Sequence, residues 1–432
     1  MRIGVRITNE RVVGVSVTDA GIREECCEKT APGAAFDTAL DAVLAGLSAG
    51  AADRLAVSIT FDVSGLFAEE GDRDVTAVRI APRPPMDDAH LFSGESVAKR
   101  LANVVHVSGG HANSGDALVA FDERGLRREL ERLPAGGRYV VTSVGAAVNP
   151  AHELEAGRIL LEHADPASVV YSHSFHNTSF SIRERTGVLN ASYLAHAGAI
   201  ATALATVVSQ RVPGARLFVM TNDGGATPLA GLSLKPVHSL YAGAAAEFVG
   251  VAALAGLDDG RMVIRRDGDN RFGEVVSGAP TVVARSRDDS GELLATRTVH
   301  LAPLADSAIG DWMGEPLEVC VGAGGAVEIG GAGGAELSAP NLGALGAACS
   351  QLVEWFESPV LINSPAEKDQ ALANAEAKVR ARLVSYGARP SQVRILDSRV
   401  VGTSYQDANV VTVRVRGVGG PTPSLALAGV AR

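Results

Sequence analysis

Apolar side chains recur at every second position through RIGVRI and again through VVGVSVT, with the polar run Thr8-Asn9-Glu10-Arg11 between them. A period of two on either side of a polar turn predicts a β-hairpin. The pattern then switches. Residues 36–47 carry a helical repeat, 55–60 a short buried strand, and 80–85 a proline-ended loop. A strand over 104–107 enters Ser108-Gly109-Gly110-His111, and a charged amphipathic helix spans 122–133. A strand over 139–144 precedes a helix over 149–163, opened by Asn149-Pro150, and a strand over 169–171. Strands alternating with helices predict an α/β fold.

The middle of the chain organises the rest. A His-rich lead-in from Tyr171 precedes a long helix starting near Ser181. An apolar strand over 217–220 runs straight into Thr221-Asn222-Asp223-Gly224-Gly225. Leu240-Tyr241-Ala242-Gly243 opens a second helix, built of small residues. A strand starts at Val263-Ile264, and 281–286 with 295–301 reads as a hairpin. The glycine-dense stretch 322–334 reads as a flexible loop, since no Lys follows to make a phosphate-binding loop. Helices are expected over 342–356 and from Ser364 to Gly387. In the second, Ser364 caps, Pro365 takes the first helical position and Glu367 closes the box. Strands over 393–401 and 410–415 end the pattern.

Composition narrows the class. The chain has 432 residues, 46% of them hydrophobic and only 4% aromatic, so helix-on-sheet packing through Ala and Gly is expected. A net charge of −10 with no long basic run argues against nucleic acid or an anionic membrane as partner. Cys26, Cys27, Cys320 and Cys349 form no C-x-x-C spacing, which argues against a zinc site and a disulfide framework. With an N-terminus lacking a signal-peptide core, a reduced, cytoplasmic protein is expected. The most membrane-like stretch, 239–257, carries Glu247 and reads as a buried helix.

A strand ending in Asn-Asp-Gly-Gly places polar side chains and bare N–H groups where ligands sit in α/β sheets. Asp223 is thus a candidate acceptor or general base, or else the acid of an Asx turn. His111, His173 and the neighbouring His106 and His176 are candidates for catalysis or metal binding, or are ordinary hydrogen-bonded histidines, and no metal set is defined. Arg183 and Arg185 suit an anionic substrate group, or an ion-paired helix start with Glu184 and Glu153. Ser58 and Ser172 lack a Gly-x-Ser-x-Gly context, which argues against a serine hydrolase.

These residues in this order resemble the hydantoinase A/oxoprolinase family. The resemblance lies in Gly109-Gly110-His111 with Gly115, Asn149-Pro150-Ala151-His152-Glu153 and Ser172-His173. It continues through Arg183-Glu184-Arg185 with Leu189-Asn190-Ala191, Asn222-Asp223-Gly224, and Gly243 with Gly250-Val251-Ala252. It implies an actin-like (ribonuclease H-like), two-lobed ATPase fold. On that reading 1–180 is the N-terminal lobe, 181–335 the second lobe and 336–432 the completing helices and strands. The resemblance further implies ATP- and Mg²⁺-dependent opening of cyclic amides such as hydantoins and 5-oxoproline, or carboxylation of ketones, often with a second subunit. Catalytic roles then fall on Asp223, His173 and His111. Contacts to a small cyclic amide or anion fall on Asn222, Gly224, Gly225, Arg183, Arg185 and Asn190.

The chain departs from the family where the nucleotide belongs. The first Asp-x-Gly-Gly-Thr loop is replaced by Arg6-Ile7-Thr8-Asn9-Glu10, and the second by Arg265-Arg266-Asp267-Gly268-Asp269. Leu301-Ala302-Pro303 stands where adenine-side glycines are expected. Phosphates need approachable N–H groups and Mg²⁺ needs oxygen ligands. A degenerate nucleotide site at Arg6, Thr8, Asn9, Arg265, Asp267 and Gly268 is therefore expected, with no bound cofactor. The arginines are expected to pair with Glu10, Asp267 or Asp269, or to accept a small anion. Two readings stay open: a subunit of a cyclic-amide hydrolase or related carboxylase, and a non-catalytic pseudoenzyme scaffold or regulatory partner. Association with a second hydantoinase-type subunit, or with itself, is expected through small-residue faces such as Ala242 to Ala246.

Overall fold

The computed structural model describes residues 1–18, 21–31, 35–48, 56–61, 74–83, 95–266, 269–284, 286–287, 291–303, 317–321, 326–329, 335–338, 341–402 and 409–420. The fold is mixed α/β. The expected hairpin forms as β1 (Arg2–Ile7) and β2 (Arg11–Thr18), with Ile3, Val5, Ile7 and Val12 buried on one face and Val13, Val15 and Val17 buried on the other. Thr8 holds its turn, its Oγ1 accepting from the Glu10 and Arg11 amides. β3 (Gly21–Glu28) extends the meander as an edge strand, its exposed glutamates discouraging further pairing. β4 (Ala56–Phe61) then pairs parallel to β1.

Between β4 and the next strand of this sheet lies a second, all-parallel sheet. It comprises β5 (Val75–Ala81), β6 (Leu101–Ser108), β7 (Arg138–Ser143) and β8 (Ser168–Tyr171), in the order β6-β5-β7-β8. β5 runs into the stretch 80–85, expected as a loop, as far as Ala81; residues 82–83 lie past the strand and 84–85 lie outside the described residues. The strand is apolar on both faces, as central parallel strands are, except at Arg79. That guanidinium is neutralised inside the protein by Glu184, through contacts of 2.6 and 2.8 Å.

The long helix Phe180–Arg211, capped by Ser179, returns the chain to the first sheet through β9 (Arg216–Met220), parallel to β4. β10 (Ala226–Pro228) turns back on it, and the sheet continues through strands Leu352–Leu361, Val410–Gly419 and Val393–Gly402. The sheets do not follow the divisions at 180 and 335: this nine-stranded sheet draws strands from all three segments. The helix expected over 342–356 stops at Cys349, and Leu352–Leu361 is a strand. Its ten residues pair with Val410–Gly419, a ladder that overrides a helical pattern lacking any Gly or Pro stop.

A third sheet repeats the motif of the first. β11 (Gly260–Arg266) and β12 (Asp269–Val276) form a hairpin, and β11 also pairs parallel to Leu317–Val321. Arg6 and Arg265 are each the penultimate residue of the hairpin's first strand. The expected hairpin over 281–301 forms as two short pairs, Val282–Val283 with Thr298–Val299 and Ser286–Arg287 with Leu293–Leu294. Within 322–334, expected as a loop, Ala326–Ile329 is a strand paired with Leu317–Val321; the rest lies outside the described residues. The Ser364 cap and Gly387, at φ 99° just past the helix end, are as expected.

Two glycines set the central packing. A Cβ at Gly250 would lie 2.0 Å from the Leu342 carbonyl, and one at Gly346 1.8 Å from the Ala246 carbonyl. Helices Ala242–Leu254 and Leu342–Cys349 therefore touch backbone to backbone. Ala242, Ala245 and Ala246 are buried at or below 1% exposure. Within the stretch expected as an association surface these three alanines are thus spent on a contact within the chain, while Gly243 is half-buried and Ala244 exposed. Two helical stretches, Phe180–Arg211 and Pro236–Leu254, are long and apolar enough to cross a membrane; the second is 72% buried in the fold.

Candidate functional site

Loops after β6, β7 and β8 converge at the carboxyl edge of the parallel sheet, where α/β proteins place ligands. Glu153, fully buried, collects four donors: the Ser143 amide at 2.9 Å, the Ser172 hydroxyl at 2.5 Å, the His173 amide at 3.0 Å and His173 Nδ1 at 2.7 Å. Arg183 closes the cluster. It donates to Ser172 Oγ at 3.1 Å, to the Ser143 carbonyl at 2.6 Å and to the Asn177 carbonyl at 2.8 Å. Burial depresses the Arg183 pKa, with the Glu153 charge opposing. The Arg183 fork is thus consumed in holding the loops together. His173 keeps 26% of its side chain exposed, its ring oriented by a carboxylate.

His111 lies in an adjoining cluster. Its ring centroid is 4.1 Å from that of His152, whose Nδ1 accepts from the Gly110 amide at 2.8 Å. Burial lowers the His111 pKa, and burial then the His111 charge lowers that of His152. His111 Nδ1 is buried without a hydrogen-bond partner among the described residues. Among the described residues, no group of three or more His, Cys, Asp or Glu is arranged to hold a metal.

The Asn-Asp-Gly-Gly turn has a different character. Asn222 donates to the Val237 carbonyl at 2.9 Å and accepts from the Tyr241 amide at 2.9 Å. Asp223 accepts from the Thr221 hydroxyl and the Gly225 amide through Oδ1, and from Trp355 Nε1 at 2.7 Å through Oδ2. Both oxygens are engaged, the geometry of an Asx turn. The glycines serve packing: a Cβ at Gly224 would lie 2.6 Å from Pro280 Cγ, and one at Gly225 2.4 Å from Val353 Cγ1. Asn190 bonds the 234–237 segment, and Arg185 bonds the Leu293 carbonyl and pairs with Glu292.

At the degenerate nucleotide positions, Arg6 pairs with Glu247 at 2.7 Å and Arg265 with Glu318 at 3.1 Å. The partners expected were Glu10, Asp267 or Asp269. Glu247 and Glu318 come from a packed helix and the adjacent parallel strand, neither legible as a neighbour from the sequence; the expected pairing with Asp267 lies outside the described residues. Asn9 lies in the β1–β2 turn, and Asp267 and Gly268 lie outside the described residues.

Three adjoining cavities share Arg297, and none of them was read from the sequence by its cations. The third, of about 340 Å³, is lined by Lys235, His238 and His176 as well as Thr221 and Asp223. Arg297 lies over the Trp355 ring at 4.3 Å from its centroid, and Arg416 over the same ring at 5.2 Å. His176 adopts φ 46°, a left-handed conformation. The histidine-rich lead-in and the strand end at Thr221–Asp223 were the hints at this place in the sequence.

No family model and no curated protein matches the sequence. Solved structures do. A chain of acetone carboxylase, in its nucleotide-free structure, superposes with TM-score 0.68 at 11% identity, covering 98% of this chain and 88% of that one. The ATP-dependent caprolactamase from Pseudomonas jessenii superposes with TM-score 0.66 at 11% identity, covering 97% and 87%. Both are hydantoinase A/oxoprolinase family members, and the chain has their fold along nearly its whole length.

Proposed function

We propose that this chain is a non-hydrolysing, cytoplasmic subunit of the hydantoinase/oxoprolinase type, an actin-like two-lobed protein in which ion pairs replace the nucleotide. The observation that carries the reading is the pairing of Arg6 with Glu247 and of Arg265 with Glu318 at equivalent positions of two hairpins. The repeated hairpin-plus-parallel-strand motif supports the actin-like assignment. Mg·ATP requires oxygen ligands for its metal, and guanidiniums already bound to glutamates supply none. Calorimetry with Mg·ATP, beside a phosphate-release assay containing hydantoin or 5-oxoproline, tests it. No heat and no release are expected; micromolar binding or substrate-stimulated release overturns it.

The Glu153–His173 pair favours a second reading. A carboxylate that fixes an imidazole is the usual arrangement of a general base. In that case the chain contributes cyclic-amide or ketone chemistry to an assembly whose partner subunit handles the nucleotide. Its signature is activity lost on His173→Gln only when the partner is present.

A further inference from the structure

The third cavity holds charge that the protein does not balance. Lys235, Arg297 and Arg382 line it together with two carboxylates, Asp223 and Glu354. Glu354 balances Arg382 within the same wall, its oxygens taken by Arg382 Nη1 and the Tyr386 hydroxyl, each at 2.7 Å, while both Asp223 oxygens are already hydrogen-bonded by Trp355, Thr221 and Gly225. Among the described residues Arg297 has one carboxylate partner, Glu357, which it shares with Arg414. The Lys235 ammonium donates to the Ser174 carbonyl at 2.7 Å and makes no ion pair among the described residues. Lys235 and His238 are crowded by protein yet only half-buried, because their remaining surface opens into the void.

An ammonium held in a cavity beside other cations and without a carboxylate of its own is costly to desolvate. A ligand anion removes that cost. Part of the wall is apolar, formed by Phe175, Leu234 and Val353, which suits an organic body more than a bare inorganic ion. His176, held left-handed, contributes to the same wall; such conformations concentrate at ligand clamps.

We propose that this cavity binds a small organic carboxylate, its charged end received by Lys235 and Arg297 and its body lying along Phe175, Leu234 and Val353. None of these residues belongs to the arginine-bearing hairpins, so the proposal stands apart from the nucleotide reading.

Calorimetry on the full chain tests it with butyrate and glutarate, with butyramide as neutral isostere and inorganic phosphate as rival anion. Binding of at least one carboxylate but not the amide is expected, weakened at least about tenfold by Lys235→Met and by Arg297→Met. Lys235→Gln provides a softer variant if either fails to fold, and Arg132→Met, on an exposed helix-end pair, should leave affinity unchanged. No heat from either acid at about 10 mM, far above the Kd of a charge-assisted site, overturns the proposal. So does amide binding equal to acid binding, phosphate binding in place of carboxylate, or undiminished affinity in the folded variants.

Discussion

Two sets of arginines in this molecule have been treated differently. At the hairpin ends, Arg6 and Arg265 each have a glutamate of their own. Around the central cavity, Arg297 and Arg414 divide Glu357 between them, and Lys235 has the Ser174 carbonyl and the Phe175 ring but no ion pair among the described residues. The first set is complete without a ligand. The second is not. Charge is thus matched pair by pair at the hairpin ends and shared around the cavity, a difference that position in the fold does not reveal.

The extreme of the balanced kind is Arg79–Glu184, at 1% and 0% side-chain exposure. Removing one partner strands a buried cation. Glu184→Gln should cost about 3–5 kcal/mol of stability, the largest effect expected, read from chemical denaturation. A loss below about 1 kcal/mol would mean that solvent reaches Arg79 and that balance inside this protein matters little. Next comes packing. Gly346→Ala must push apart a pair of helices whose backbones touch, and about 1–3 kcal/mol is expected to be lost. An unchanged midpoint would show that the Ala242–Leu254 helix is free to shift.

The unbalanced cavity should respond to pH. Burial, then the Arg297 charge, lowers the Lys235 pKa to about 8, with Glu354 opposing and Arg382 assisting. A bound carboxylate favours the charged amine. Affinity should therefore be level below pH 8 and fall about tenfold per unit above it. The other groups facing Lys235 stay fixed in that window. His176 is depressed to about 4 and His238 well below its ordinary value, both chiefly by burial, while the Tyr386 hydroxyl is raised. The loss should vanish in Lys235→Gln. A pH profile unchanged by that substitution would assign the effect to another group.

Much of the fold was legible because it is local. The period-two hairpin, the Ser364 cap and the Gly387 stop each rest on neighbouring residues. β5 was missed because a central parallel strand lacks alternation and Arg79 interrupts its apolar run. Leu352–Leu361 was missed because its partner strand lies far along the chain. The same limit governs the site. Glu153, His173 and Arg183 belong to motifs that could be read together. Lys235, Arg297 and Trp355 come from separate segments, each ordinary alone, and only folding makes them one wall.

The smallest expected effects fall on the hairpin pairs, and they decide what those pairs do. Arg6 and Glu247 are 20% and 24% exposed, Arg265 and Glu318 31% and 32%. At such exposure a pair contributes little, so Glu247→Gln and Glu318→Gln should each cost less than about 1 kcal/mol. Their value lies in what the freed arginine does next. An unpaired guanidinium attracts phosphate but offers Mg²⁺ no ligand. If the ion pairs merely occupy a site otherwise intact, removing both glutamates should let ATP bind, and more tightly without Mg²⁺ than with it. If the loops themselves have lost the shape of a phosphate cradle, as Glu10 and Pro303 suggest, the double variant should remain silent in calorimetry. The second outcome is expected. Proline removes a backbone donor and Glu10 repels phosphate, and neither is altered by freeing an arginine. Metal-dependent ATP binding by the double variant would show that two glutamates alone hold the nucleotide out.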